Sequence, residues 1–117
     1  MSRLQATLLV ERVQSHAKAG FTLLLDYDHG DTNAIVDAFL EAVAIVNPLG
    51  KLGLNSDFPE GSSLSIEKLQ NMTKGLDNSH QKTNFVNGFT KEMDQYAVEL
   101  WAYFEGVSLT LEKAQQR

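Results

Sequence analysis

The stretch from Phe85 to Leu111, FVNGFTKEMDQYAVELWAYFEGVSLTL, decides the fold. Its large apolar residues, Phe85, Val86, Phe89, Met93, Tyr96, Leu100, Phe104, Val107 and Leu111, recur at steps of three and four, the spacing that lines one face of a helix. Ala97, Trp101 and Tyr103 widen that face beyond what one neighbouring element covers. The spacing predicts a long C-terminal helix over 84–114, a spine against which shorter elements pack. Such a helix is either clamped from two sides within the fold or partly covered by another chain.

Upstream, Ala6, Leu9, Val10, Val13 and Ala17 share a face, while Glu11, Arg12, Gln14, Ser15 and Lys18 fall mostly opposite. Ser2 with Gln5 fits a capping box, each side chain satisfying a free amide of the first turn. Gly20 either ends this helix or sits inside a longer one, at about 1 kcal/mol relative to Ala. The run Phe21-Thr22-Leu23-Leu24-Leu25-Asp26-Tyr27-Asp28 favours the longer helix, because leucines prefer helix and Val13, Ala17, Phe21, Leu24 and Asp28 keep one face. His29-Gly30-Asp31 reads as a turn, with Asp31 or Thr32 capping the next helix.

Residues 33–46 are apolar nearly all round, with Asp37 and Glu41 their only charges, as expected of a central helix. Asn47-Pro48 is expected to stop it. An irregular segment follows over 47–64, holding both prolines, and Ser65 caps a third helix with Ile66, Leu69 and Met72 inward and Gly75-Leu76 at its end. Asp77 to Lys82 reads as a polar linker. The expected architecture is a single compact domain, 1–117: an all-α, four-helix bundle-like arrangement with helices near 4–28, 32–46, 65–75 and 84–114. The alternative is α+β, with strands at 21–27 and 107–112, kept open by the alternation of Val107, Leu109 and Leu111.

The composition excludes several classes of protein. At 117 residues and 43% hydrophobic content the chain suits one globular core, and with no cysteine it has no disulfide, thiolate metal site or cysteine nucleophile. A net charge of −5 and the lack of any Lys/Arg cluster argue against direct nucleic-acid binding. The most apolar region, 21–46, is broken by five acids, too many for a membrane span, which needs about 20 predominantly apolar residues. The first residues lack the pattern of a secretory signal, so a cytoplasmic location is expected.

One local feature stands out. Between Lys18 and Lys51 there is no Lys or Arg, yet Asp26, Asp28, Asp31, Asp37 and Glu41 all fall there. If the first two helices form a hairpin about His29-Gly30, the first three acids crowd its tip, and Asp37 and Glu41, four apart, share a strip. The bland account is a solvated edge with ordinary capping acids. The functional account is an acidic docking surface for a basic partner, with Trp101 and Tyr103 as aromatic anchors.

Leu23-Leu24-Leu25-Asp26-Tyr27-Asp28 followed by Thr32 is similar in outline to the strand–DxD arrangement of aspartate-dependent phosphotransferases. His29-Gly30-Asp31 displaces the threonine, however, and the chain is too short for the sheet that positions those carboxylates. As a calcium loop the segment fails on spacing, with Gly30 one place early and Asp37 where a bidentate Glu belongs. His16, His29 and His80 form no metal-binding pair, and no phosphate-binding glycine loop or nucleophile elbow occurs. No cofactor, no metal and no catalytic residue is therefore expected. The reading preferred from these residues is a non-enzymatic protein-binding module of the inhibitor, immunity or antitoxin type, with Asp26, Asp28, Asp31, Asp37, Glu41, Trp101 and Tyr103 binding the partner. A homo-oligomeric structural subunit assembled through the C-terminal helix is the second reading, and a small-molecule or metal binder the third.

Overall fold

Among the described residues, five α-helices follow one another: α1 (Arg3–Asp28), α2 (Ala34–Lys51), α3 (Ile66–Thr73), α4 (Ser79–Gly88) and α5 (Met93–Gln115). The computed structural model describes residues 1–76 and 79–116, and no strand occurs among them. The fold is all-α, and both segments weighed as strands, 21–27 and 107–112, lie inside helices. Asp77 and Asn78 of the expected linker, and the side chain of His80, lie outside the described residues, while 79–82 form the start of α4.

α1 begins as its sequence dictates: Gln5 N–H donates to the Ser2 hydroxyl at 3.1 Å and Ser2 N–H donates to Gln5 Oε1 at 2.8 Å. It then runs through Gly20 for 26 residues, burying Val13, Ala17, Gly20 and Leu24. The glycine is there for contact rather than for a turn. A Cβ on Gly20 would stand 2.3 Å from Cζ of Phe104, so only hydrogen leaves room for the α5 ring to lie against the α1 backbone. Phe21 packs beside it, edge-on to both Trp101 and Phe104.

α2 is the hub, packing against α1, α3, α4 and α5, the central position its all-round apolar sequence implies. Its end corrects the expectation at Asn47-Pro48, because the helix passes through Pro48 and ends at Lys51. Pro48 and Leu49 are both buried there, and that burial offsets the backbone bond that proline forgoes. A stronger stop lies beyond it. Gly53 takes φ +71°, Leu54 N–H donates to Leu49 O and Gly53 N–H to Gly50 O, both at 3.0 Å, which together form a Schellman cap.

The single helix expected over 84–114 is two helices. α4 stops at Gly88, and residues 89–92 form turns before α5 starts at Met93. Thr90 contributes to the break: its hydroxyl donates to the carbonyl of Asn87 at 3.1 Å, competing with the backbone amides a continuous helix would place there. The break folds Phe85 and Phe89 back over the core, with Phe85 against Phe39 and Phe89 near Tyr96. Gly106 lies inside α5, where Ser56 of the connecting segment approaches it.

The two-sided clamping of α5 is observed within the fold. α1 covers one side, where Phe21 meets Trp101, and residues 52–65 cover another, where Phe58 stacks on Tyr103 with centroids 4.7 Å apart. The molecule measures 43 × 28 × 25 Å. Its long axis matches the 26-residue α1, which at 1.5 Å per residue extends about 39 Å.

Candidate functional site

The α1–α2 turn is held almost wholly by backbone. His29, Gly30 and Asp31 donate their amides to Leu25, Tyr27 and Asp26 carbonyls at 3.0 Å, and Gly30 adopts φ +110°. The first amides of α2 are met the same way, Ala34 by Asp31 O, Ile35 by Thr32 O and Val36 by Asn33 O. Asn33, not Asp31 or Thr32, occupies the cap position, and no side chain bonds there. The capping account of Asp31 is thereby removed. Asp26, Asp28 and Asp31 are exposed and make no side-chain hydrogen bond or ion pair among the described residues.

The other two acids are paired within the fold. Asp37 accepts from Lys82 Nζ of α4 at 3.0 Å, and Glu41 meets His16 Nδ1 of α1 at 2.5 Å. The spacing set Asp37 and Glu41 on a strip apart from the tip, and packing adds partners to that strip alone among the described residues. Lys82 and His16 lie 45 and 25 residues away along the chain from their partners, beyond the reach of any local pattern.

Beside the tip, α1 and α5 diverge around a groove of about 430 Å³, lined by Leu24, Leu25, Tyr27 and Asp28 from α1 and by Asp94, Ala97, Val98 and Trp101 from α5. Leu25 is 48% and Val98 66% exposed, so the groove presents apolar side chains to water. Its acids are Asp28 and Asp94. The Tyr27 hydroxyl donates to Asp94 Oδ1 at 2.7 Å, tying the end of α1 to the start of α5. Burial, together with that bond and the charge of Asp94, pushes the Tyr27 pKa up to about 12, so the phenol keeps its proton.

Trp101 lies in this groove together with Asp28, as the docking reading requires of an aromatic anchor beside an acid. Tyr103 lies elsewhere. It is 1% exposed, stacked under Phe58, and its hydroxyl has no hydrogen-bond partner among the described residues. Burial first, and the charge of Asp57 second, push its pKa up to about 12.

Two features went unread in the sequence. Asp94 and Tyr27 form the floor of the groove and carry no motif, since their pairing spans 67 residues. Glu99 is the second: at 5% exposure its carboxylate accepts from the amides of Ser63 and Leu64 at 3.1 and 2.7 Å, from the Ser63 hydroxyl at 2.8 Å and from Gln95 at 2.6 Å. Burial alone would raise its pKa, but these bonds outweigh it and hold the carboxyl below its ordinary value of 4.5. A signal was present, because Glu99 sits three residues after Tyr96 and four before Tyr103, on the apolar face itself.

Chemically, the groove offers apolar area, an indole and negative charge, with no nucleophile set beside a base. Among the described residues no three His, Asp or Glu side chains converge as metal ligands, and no helix is long and apolar enough to cross a membrane. The fold and groove define a small all-α domain with an acid-rimmed apolar cleft. No protein-family model matches the chain, and neither does any curated protein or solved structure.

Proposed function

We propose that this protein is a non-enzymatic binding module whose α1–α5 groove seats a basic, partly apolar segment of a protein partner. The supporting observation is the convergence of exposed Leu25 and Val98, Trp101, and the carboxylates of Asp28 and Asp94 in one cleft. An apolar side chain of the partner buries against Leu25, Val98 and Trp101, and its lysine or arginine faces Asp28 and Asp94. Asp26 and Asp31 add unneutralised charge at the adjoining hairpin tip, which speeds encounter with a cationic surface. A protein that covers a basic surface in this way acts as an inhibitor, immunity protein or antitoxin does, through occupancy rather than chemistry. Asp37 and Glu41 support the frame from within it, through Lys82 and His16.

The test is affinity capture of the tagged protein from its native source at low salt, followed by titration of the purified partner against Asp28→Lys. A basic partner released by salt, and bound at least about tenfold more weakly by the variant, supports the reading. Unchanged affinity in Asp28→Lys and Val98→Ser would remove it.

A further inference from the structure

On the side of α5 away from the groove, the segment after α2 forms a second concavity. Glu99 pins Ser63 and Leu64, and Phe58 lies on the Tyr103 ring, so residues 52–64 are held over α5. Between that segment and the end of α2 is a pocket of about 320 Å³. Val46, Leu49, Leu54 and Ile66 supply its apolar wall, Asn47, Asn55 and Ser56 its neutral polar groups, and Tyr103 and Asp57 its two ionisable groups.

Tyr103 is the informative residue. Its hydroxyl is buried, has no hydrogen-bond partner among the described residues, and belongs to a side chain that lines the pocket. A buried hydroxyl in a native protein nearly always has a partner, because leaving it bare costs roughly 1–3 kcal/mol. Asp57 lines the same pocket as the Tyr103 side chain, and its charge adds to burial in raising the Tyr103 pKa. The phenol retains its proton at neutral pH and so can donate a hydrogen bond to whatever enters.

These properties define a ligand. Its inner end carries an acceptor oxygen for Tyr103, its body is apolar enough for Val46, Leu49, Leu54 and Ile66, and its other end is cationic, since Asp57 is the one charged group lining the pocket. The volume is near the lower end of the roughly 300–1,000 Å³ of ligand sites, which suits a small metabolite. We propose that the pocket beneath residues 52–64 binds a small organic amine bearing a hydroxyl or carbonyl oxygen, with Tyr103 donating to that oxygen and Asp57 facing the ammonium. This site is separate from the α1–α5 groove and does not depend on how the groove is used.

Calorimetric titration with three probes tests it: tyramine, which has both polar ends, phenethylamine, which lacks the oxygen, and 4-ethylphenol, which lacks the charge. The expected order is tyramine binding roughly tenfold more tightly than either truncated probe. Tyr103→Phe abolishes the preference over phenethylamine, and Asp57→Asn abolishes the preference over 4-ethylphenol. Tyr103→Phe also leaves the unliganded protein as stable as the parent or more so, because it removes an unsatisfied hydroxyl without leaving a cavity. No saturable tyramine binding tighter than about 10 mM, or preferences that survive both substitutions, would overturn the proposal. A marked loss of stability in Tyr103→Phe would also count against it, by showing that the hydroxyl serves an internal partner.

Discussion

α5 presents two sides that treat polar groups in opposite ways. Towards α1 it carries Asp94, Ala97, Val98 and Trp101, and the Asp94 carboxylate at this surface already accepts from Tyr27. Towards residues 52–64 it carries Glu99 and Tyr103, both buried, the first with four donors and the second with none. The two tyrosines make the contrast sharp. Each is pushed to a pKa of about 12, Tyr27 with a carboxylate in hand and Tyr103 with its hydroxyl bare. A helix clamped on both sides can thus border an apolar groove on one side and a pocket with a buried tyrosine on the other, a few residues apart.

The largest expected effect separates the two sides by removing the clip on one of them. Glu99→Ala leaves the amides of Ser63 and Leu64 without their acceptor and should cost about 3 kcal/mol in urea unfolding, with residues 52–64 losing hydrogen-exchange protection first. The same contact predicts a pH dependence. A glutamate whose folded pKa lies below its unfolded value contributes stability fully above the unfolded value and loses it as pH falls through the folded one. Stability should therefore decline below about pH 4.5, and this acid limb should flatten in Glu99→Gln, as thermal unfolding across pH would show.

Next comes the opposite side. Gly20→Ala drives a methyl into the fully buried Phe104 ring and should cost about 2 kcal/mol by overpacking, while forcing α1 and α5 apart along the groove. Chemical denaturation gives the cost, and Trp101 fluorescence reports whether the groove moved. Tyr27→Phe is smaller, about 1 kcal/mol, since it removes one hydrogen bond at a half-exposed site. Glu41→Gln should change stability by less than about 1 kcal/mol, because its pairing with His16 is open to solvent screening. A large effect there would mean that the acidic strip on α2 holds the hairpin together more than its exposure implies.

Much of the frame was readable before any coordinates. The three-and-four spacing of apolar residues marked α1 and the helical character of α4 and α5, the all-round apolar run marked α2, and Ser2/Gln5 and Ser65 marked two helix starts where they occur. Two boundaries differ from the local reading, because local pattern was weighed without its surroundings. Pro48 reads as a stop but is carried through by its burial at the hub, and the Leu52-Gly53-Leu54 cap three residues after Leu49 was the true terminator. The apolar stripe over 84–114 reads as continuous, yet the chain turns at 89–92 and sets Phe85 and Phe89 against Phe39 and Tyr96.

The candidate site was legible only in part. Asp28 and Trp101 were singled out and do meet, because each sits on an amphipathic helix whose exposed edge is set by its own periodicity. Asp37 and Glu41 were grouped with the tip acids because sequence shows charge without showing what lies opposite.

What the sequence by itself determined about this protein is the helical character of most of α1, α2, α3 and α5. Apolar period, capping side chains and glycine conformation act over three to five residues, and those interactions are complete within the local string. What only the tertiary structure decided is the polar pairing: Tyr27 with Asp94, Lys82 with Asp37, His16 with Glu41, Ser63 with Glu99, and Tyr103 with nothing. Each of those outcomes depends on which groups helix packing brings within 3 Å or so and which it shields from water, and neither quantity exists until the chain has folded.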